Sequence, residues 1–397
     1  MSFFLTILTV TVYYQYAFIN NSFGGRLTNF DELIVIIILI SVIASKINQG
    51  NFKINKTPLD KPIIFFALLF LLSNLINSAP IVPLLWSIKN FFLYVVLYYC
   101  ITSCNINLNT MSKVAKVVIT LFIIQIPIVF YDVFYSTFNS GGIGSLEADS
   151  IRGLINDANV LSASTLTPLF LYLGFYRFKI KSFISTVIIF GLLFVLISGA
   201  GRFAILLFIF SIIYIFSIKK KIKIPGQNLS KIQLFLILLS FSILIGGYYL
   251  ISKENIINNY NIWWLLTQGE FDIHSGSQRL LYYPLTFKIL LEAGILNIIF
   301  GFGPGMFASD AGMRLETPWS EYLGNVFGQV DAGFDPYVSS QIIPIWGELG
   351  LVGLIIFFWL LFRVLKIAKK VYSKSNDIVI NALSVSLITS CLLMIIG

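Results

Sequence analysis

Arg202 stands in Leu196-Ile-Ser-Gly-Ala-Gly-Arg-Phe203, a small-residue turn between two apolar runs. A cation beside hydrocarbon is costly unless it is paired or faces a polar cavity. Arginine's planar fork also suits two-point contact with phosphate oxygens. Snorkelling to the headgroups would account for Arg202 without function, but the surrounding Ser and Gly leave room for a ligand. Arg152 occupies the polar stretch Ser150-Ile-Arg-Gly-Leu-Ile-Asn-Asp-Ala-Asn159, just ahead of another apolar run. Asn156, Asp157 and Asn159 suit helix capping, which leaves Arg152 to be explained. Lys89 lies inside the apolar run Trp86–Cys104. There it either reaches outward to the headgroups or binds an anion within a helical bundle. Arg279 opens Ser277-Gln-Arg-Leu-Leu-Tyr-Tyr-Pro284, and Arg314 follows in the same long segment.

Downstream of Arg279 comes Gly301-Phe-Gly-Pro-Gly-Met-Phe307. Alternate glycines at 301, 303 and 305 can turn successive backbone N–H groups toward an anion; a plain turn between two helices is the alternative. The spacing is not that of a dinucleotide-binding loop, and no β-α alternation surrounds it. Glu348 falls inside an apolar run, in Trp346-Gly-Glu-Leu-Gly350. It could assist deprotonation as a base or hydrogen-bond a neighbouring helix. His274, the one histidine, lies far from the three cysteines, Cys100, Cys104 and Cys391. That leaves no metal-ligand cluster, no disulfide framework and no cofactor motif.

These residues are set in a very apolar chain. Of 397 residues, 57% are hydrophobic and 11% charged, where a soluble domain carries roughly 25% charged residues. Apolar runs near the length of a bilayer span occur at Phe3–Ile19, Leu33–Ile47, Ile63–Asn77, Trp86–Cys104, Val114–Tyr135, Val160–Tyr176, Phe183–Ser198, Phe203–Ile218, Ile232–Ile251, Gln341–Phe362 and Ile378–Ile396. The expected fold is therefore an all-α, polytopic transmembrane bundle of about eleven spans. A twelfth is allowed if the natural chain continues past Gly397. Met1-Ser2-Phe3-Phe4 has neither the positive start nor the cleavage site of a signal peptide, so the first run is expected to be retained.

The net charge of +9 does not indicate nucleic acid, because the basic residues sit in short clusters between apolar runs. Lys46, Lys53, Lys56 and Lys61, then Lys113 and Lys116, then Arg177, Lys179 and Lys181, then the 219–231 lysines, and finally Arg363 to Lys374 follow alternate runs. By the positive-inside rule this places them, and the N-terminus, in the cytoplasm. The organisation expected is 1–251 as N-terminal spans, 252–340 as a large extracytoplasmic loop with helices lying in the interface, and 341–397 as C-terminal spans.

Four of these elements, in this order, resemble the bacterial O-antigen polymerase and ligase superfamily over roughly residues 60–365. Arg152-Gly with Asn156 and Asn159 looks like its Arg-Gly…Asn element. Ser198-Gly-Ala-Gly-Arg202 looks like its Ser-Gly-Ser-Arg turn, and Gln278-Arg279 with Gly301-Phe-Gly-Pro-Gly305 like the Arg…Gly-x-Gly element of its periplasmic loop. The 341–353 segment resembles the span that closes that loop. The ligases carry a histidine about nine residues before the Glu-Leu-Gly element, where this chain has Ser339, so the likeness leans to the Wzy-type polymerases.

The resemblance implies a metal-independent glycosyltransferase in the bacterial cytoplasmic membrane. Its substrates would be undecaprenyl-pyrophosphate-linked oligosaccharides, and its partners the lipid bilayer and a chain-length regulator protein. Arg202 and Arg279, with Glu348 as the assisting carboxylate, would form the catalytic set. Lys89, Arg152, Asn156, Asn159, Gly301, Gly303, Gly305 and Arg314 would bind pyrophosphate or glycan. A ligase moving glycan to lipid A core or to protein is the near alternative. A lipid-linked glycan flippase is the alternative of another class, though neither internal repeats nor polar residues at mid-membrane are clear.

Overall fold

The structure is a computed structural model, and it describes residues 30–50, 55–104, 106–139, 158–175, 183–198, 202–219, 278–320 and 342–396. The expected spans Phe3–Ile19 and Ile232–Ile251, and much of the 252–340 segment, lie outside the described residues. The described chain is helical, with no strand. Its helices are α1 (Phe30–Asn48), α2 (Asp60–Ile76), α3 (Ile81–Ser103), α4 (Leu108–Asn139), α5 (Ala158–Phe175), α6 (Phe183–Ser198), α7 (Arg202–Lys219), α8 (Gln278–Ala293), α9 (Ile295–Phe300), α10 (Asp310–Arg314), α11 (Ile342–Lys374) and α12 (Ile378–Ile396). Three of them, Ile81–Ser103, Leu108–Tyr135 within α4, and Ile342–Lys374, are long and apolar enough to cross a membrane.

Local chemistry sets the ends. α4 starts at Leu108 because the Asn107 side-chain oxygen accepts the Thr110 N–H at 2.8 Å, a helix cap. Asp377 does the same for α12, accepting from Val379 and Ile380 at 2.8 and 3.0 Å. α2 stops at Ile76, where Asn77 turns its amide back to the Ser73 carbonyl at 2.8 Å and Ser78 adopts a left-handed φ of 49°. Its outward residues are apolar: Ile64, Phe65, Leu68, Leu71 and Leu75 are all exposed. Water would not tolerate such a face, whereas lipid would.

The chain packs as two units. One comprises residues 1–56, 94–231 and 362–397, the other 57–93 and 232–361. In the first, α12 lies along α5 at very short range. A Cβ on Gly174 would stand 2.5 Å from the Ala382 Cα, the small-residue contact that lets helix backbones approach in a membrane. Thr167 and Ser390 hydroxyls meet across that seam at 3.1 Å. Leu161, Leu166, Leu169, Phe170, Val385 and Ile388 are buried in this unit.

The second unit has two apolar clusters. Phe66, Phe70 and Leu84 pack with Ile345 and Leu349 of α11, with Phe91 and Phe92 against them. Ile289 and Leu290 of α8 pack with Phe302, Phe307, Ala308 and Ile343. Together these clusters hold the segment between α9 and α10 against α11.

Candidate functional site

α11 is not continuous. Gly350 takes φ 65° and ψ −163°, far from helical values. The break matters because the carbonyls of Gly347 and Glu348 would otherwise accept N–H groups four residues on. Instead they accept from the glycine-rich turn: Phe302 N–H donates to Gly347 O at 2.8 Å and Gly303 N–H to Glu348 O at 3.0 Å. Two successive donors of the turn thus pair with two successive acceptors of α11.

The glycines are required by this closeness. Gly301, Gly303 and Gly305 have φ of 71°, 104° and 75°, values that L side chains rarely adopt. A Cβ on Gly301 would also lie 2.2 Å from the Glu348 carbonyl carbon, and one on Gly305 would lie 2.5 Å from the Pro83 oxygen.

The turn does present N–H groups to an acceptor, and that acceptor is a carboxyl of the chain itself. Glu348 is 2% exposed. Its carboxyl accepts the Gly305 N–H at 2.8 Å and the Phe307 N–H at 3.4 Å. The Ser309 hydroxyl and N–H add to the same ring of donors. The hydrogen-bonding role weighed for Glu348 is therefore seen, its partner being a loop rather than a helix.

α2 fastens the turn from the other side. The Ser73 hydroxyl lies 2.7 Å from Phe300 O and 3.1 Å from Glu348 O, sharing one proton between both halves of the join. Asn77 donates to Gly301 O at 3.0 Å and accepts from the Asn297 amide at 3.1 Å.

Lys89 and Arg314 come together at one aromatic ring. Lys89 Nζ lies 4.3 Å from the Trp86 ring centroid and Arg314 Cζ lies 5.9 Å from it. Both distances fall within cation–π reach, and the two cationic groups are therefore no more than about 10 Å apart. Trp86 and Lys89 share a face because they are three residues apart on α3. Arg314 arrives at the end of α10, a five-residue helix. The end of α10 is fixed by the Thr317 hydroxyl, which donates to Met306 O at 3.2 Å, and by Ser320, which donates to Gly312 O at 2.8 Å.

The other candidates are less fully described. Arg279 is the second residue of α8, Arg202 the first of α7 and Asn159 the second of α5; their side chains, and all of Arg152 and Asn156, lie outside the described residues, as do His274 and Ser339. Among the described residues, no three metal-binding side chains gather. Sequence reasoning passed over Ser73, Asn77 and Asn297, although polar side chains at the end of an apolar run are a signal of internal hydrogen bonding. It also took Trp86 only as the edge of a span, although its place three residues before Lys89 was visible.

No family model matches the chain, and no curated protein is similar to it. The family likeness therefore rests on the short motifs alone.

Proposed function

We propose that the protein is a membrane glycosyltransferase that polymerises undecaprenyl-pyrophosphate-linked oligosaccharide repeats at the outer face of the bacterial cytoplasmic membrane. In this reading the chain crosses the bilayer about eleven times from a cytoplasmic N-terminus, and the 252–340 segment lies outside. The observation that carries it is the meeting of Lys89 and Arg314 at Trp86, beside a turn clamped to α11. The four motif-like elements in family order support it.

The acceptor sugar's hydroxyl oxygen attacks the anomeric carbon of the donor chain. A C–O bond forms, the bond to pyrophosphate breaks with its electron pair on the leaving oxygen, and the hydroxyl proton passes to a base or to solvent. Charge grows on the pyrophosphate, so cations held nearby in a low-dielectric site lower the barrier. Lys89, Arg314, Arg202 and Arg279 are the groups assigned to that task, with Arg152, Asn156 and Asn159 on the glycan or pyrophosphate. Glu348 is assigned a positioning role, because its oxygens already accept backbone N–H groups.

The test is the length distribution of surface polysaccharide in the source organism. Deletion should leave single repeats on the final acceptor. Arg202→Ala, Arg279→Ala or the Lys89→Ala/Arg314→Ala pair should do the same at normal protein level. An unchanged ladder in all of them would refute the reading. The broken helix α11 favours a second one, since transporters place ligands at such breaks. Here the freed carbonyls are already occupied by Phe302 and Gly303, and flipping of a labelled lipid-linked unit without bond formation would be its signature.

A further inference from the structure

α11 continues as helix well past its apolar part, to Lys374. Over that extension Arg363, Lys366, Lys370 and Lys374 are all exposed. Their intervals of three, four and four put them on one line along the helix, about 16 Å long at 1.5 Å per residue. Ala368 and Tyr372, on the opposite side, are buried. Lys369 leaves the line and reaches to 5.6 Å from the Tyr214 ring. Ile367 and Val371 interleave with the basic residues, Val371 being 38% exposed. The face is thus cationic and apolar together.

The chain then turns through Ser375–Asp377 and begins α12 at Ile378. Asp377, the nearest acid in sequence, is occupied in capping that helix. The first turn of α12 is Ile378-Val-Ile380. So apolar a start, four residues after Lys374, holds the turn at the hydrocarbon boundary. If the basic extension stood out in water, Ile378–Ile380 would stand there with it. The lysines must therefore lie along the headgroup layer, their stems on lipid and their ammonium groups among the phosphates.

We propose that this face of α11 is a binding surface for anionic phospholipid headgroups of the adjoining leaflet. Mixed apolar and basic character is what an acidic lipid surface selects, whereas an acidic protein in the cytosol would meet the charges without the isoleucine and valine between them. The proposal does not depend on the catalytic reading.

The experiment uses the full chain reconstituted in mixed phosphatidylglycerol and phosphatidylcholine, with spin-labelled versions of each lipid reporting its association at the protein surface. Wild type should prefer phosphatidylglycerol, and the preference should shrink as salt rises. Lys366→Gln/Lys370→Gln should lose on the order of fivefold in preference for each lysine removed. Lys366→Arg/Lys370→Arg should keep it, which also controls for folding. Equal association of both lipids with wild type would overturn the proposal and leave an acidic macromolecule as the occupant. A Lys366→Gln/Lys370→Gln variant as selective as wild type would overturn it too, because the line of lysines would then not be what selects the lipid.

Discussion

Replacing Glu348 separates a clamp from a base. Its two carboxyl oxygens accept the Gly305 and Phe307 N–H groups in a site that is 2% exposed. Glu348→Ala leaves these two backbone donors buried and unpaired, at about 1–3 kcal/mol each, so the loss is about 2–6 kcal/mol before the Ser309 donors or any cavity is counted. Glu348→Gln keeps the shape and one acceptor but aims an NH2 at a backbone N–H. One bond is lost and two donors face each other, for about half the alanine loss. Thermal unfolding of purified protein in detergent should therefore rank wild type above Gln and Gln above Ala. Under the proposed function, polymer formation should fall in the same order, following the position of Arg314. A base would behave otherwise: Gln and Ala would both abolish polymer, with Gln melting like wild type. That result, or an Ala variant as stable as wild type, would refute the clamp.

The glycine positions give two further tests. Gly350→Ala places a Cβ 2.3 Å from Ile299 O at φ +65°, so backbone strain of about 1–3 kcal/mol adds to a backbone clash, and the melting temperature should drop by more than for Glu348→Gln. In the other unit, Gly174→Leu should prevent α5 and α12 from closing, because the Ala382 Cα is 2.5 Å from the new Cβ. Recovery of monodisperse protein on size exclusion should collapse. Gly50→Ala is the control: its φ is +60° but nothing lies within 4 Å, so only the left-handed backbone strain of about 1 kcal/mol applies, and recovery should hold.

The helices were largely legible in the sequence where an apolar run is bounded by turn or charged residues. Phe183–Ser198 and Ile378–Ile396 coincide with α6 and α12, because in both the run and the helix stop for the same reason. α3 begins at Ile81, five residues before the run read from Trp86; Pro80 ends the preceding turn, and Pro83 falls in the first turn of the helix, where its missing N–H costs no intrahelical bond. α11 runs on past the span read at Gln341–Phe362. The apolar run stops at Arg363, where the basic residues begin, whereas Lys, Leu and Ala are good helix formers and the helix continues to Lys374. The break at Gly350 was hidden for the converse reason: Leu-Gly-Leu-Val-Gly keeps the run apolar, and composition carries no φ angle.

Within the site, the sequence held both halves of the clamp and no means of joining them. Three alternate glycines suggested an anion nest, and a glutamate in an apolar run suggested a partner or a catalytic duty, more than forty residues away along the chain. Each was ambiguous because each half has a common alternative, a plain turn or a helix-to-helix hydrogen bond. Paired, they explain one another. A buried carboxyl needs donors, positive-φ glycines supply them, and the broken helix supplies the two carbonyls that the turn's remaining N–H groups need. Each of the three features satisfies hydrogen bonds of another, which is why the Gly-Phe-Gly-Pro-Gly and Gly-Glu-Leu-Gly segments are better read as one element than as separate motifs. The same logic redirects the search for substrate contacts. The Gly305 and Phe307 N–H groups are committed to Glu348, and Lys89 and Arg314 converge on the Trp86 ring, so under the proposed function these two cations are the first to test.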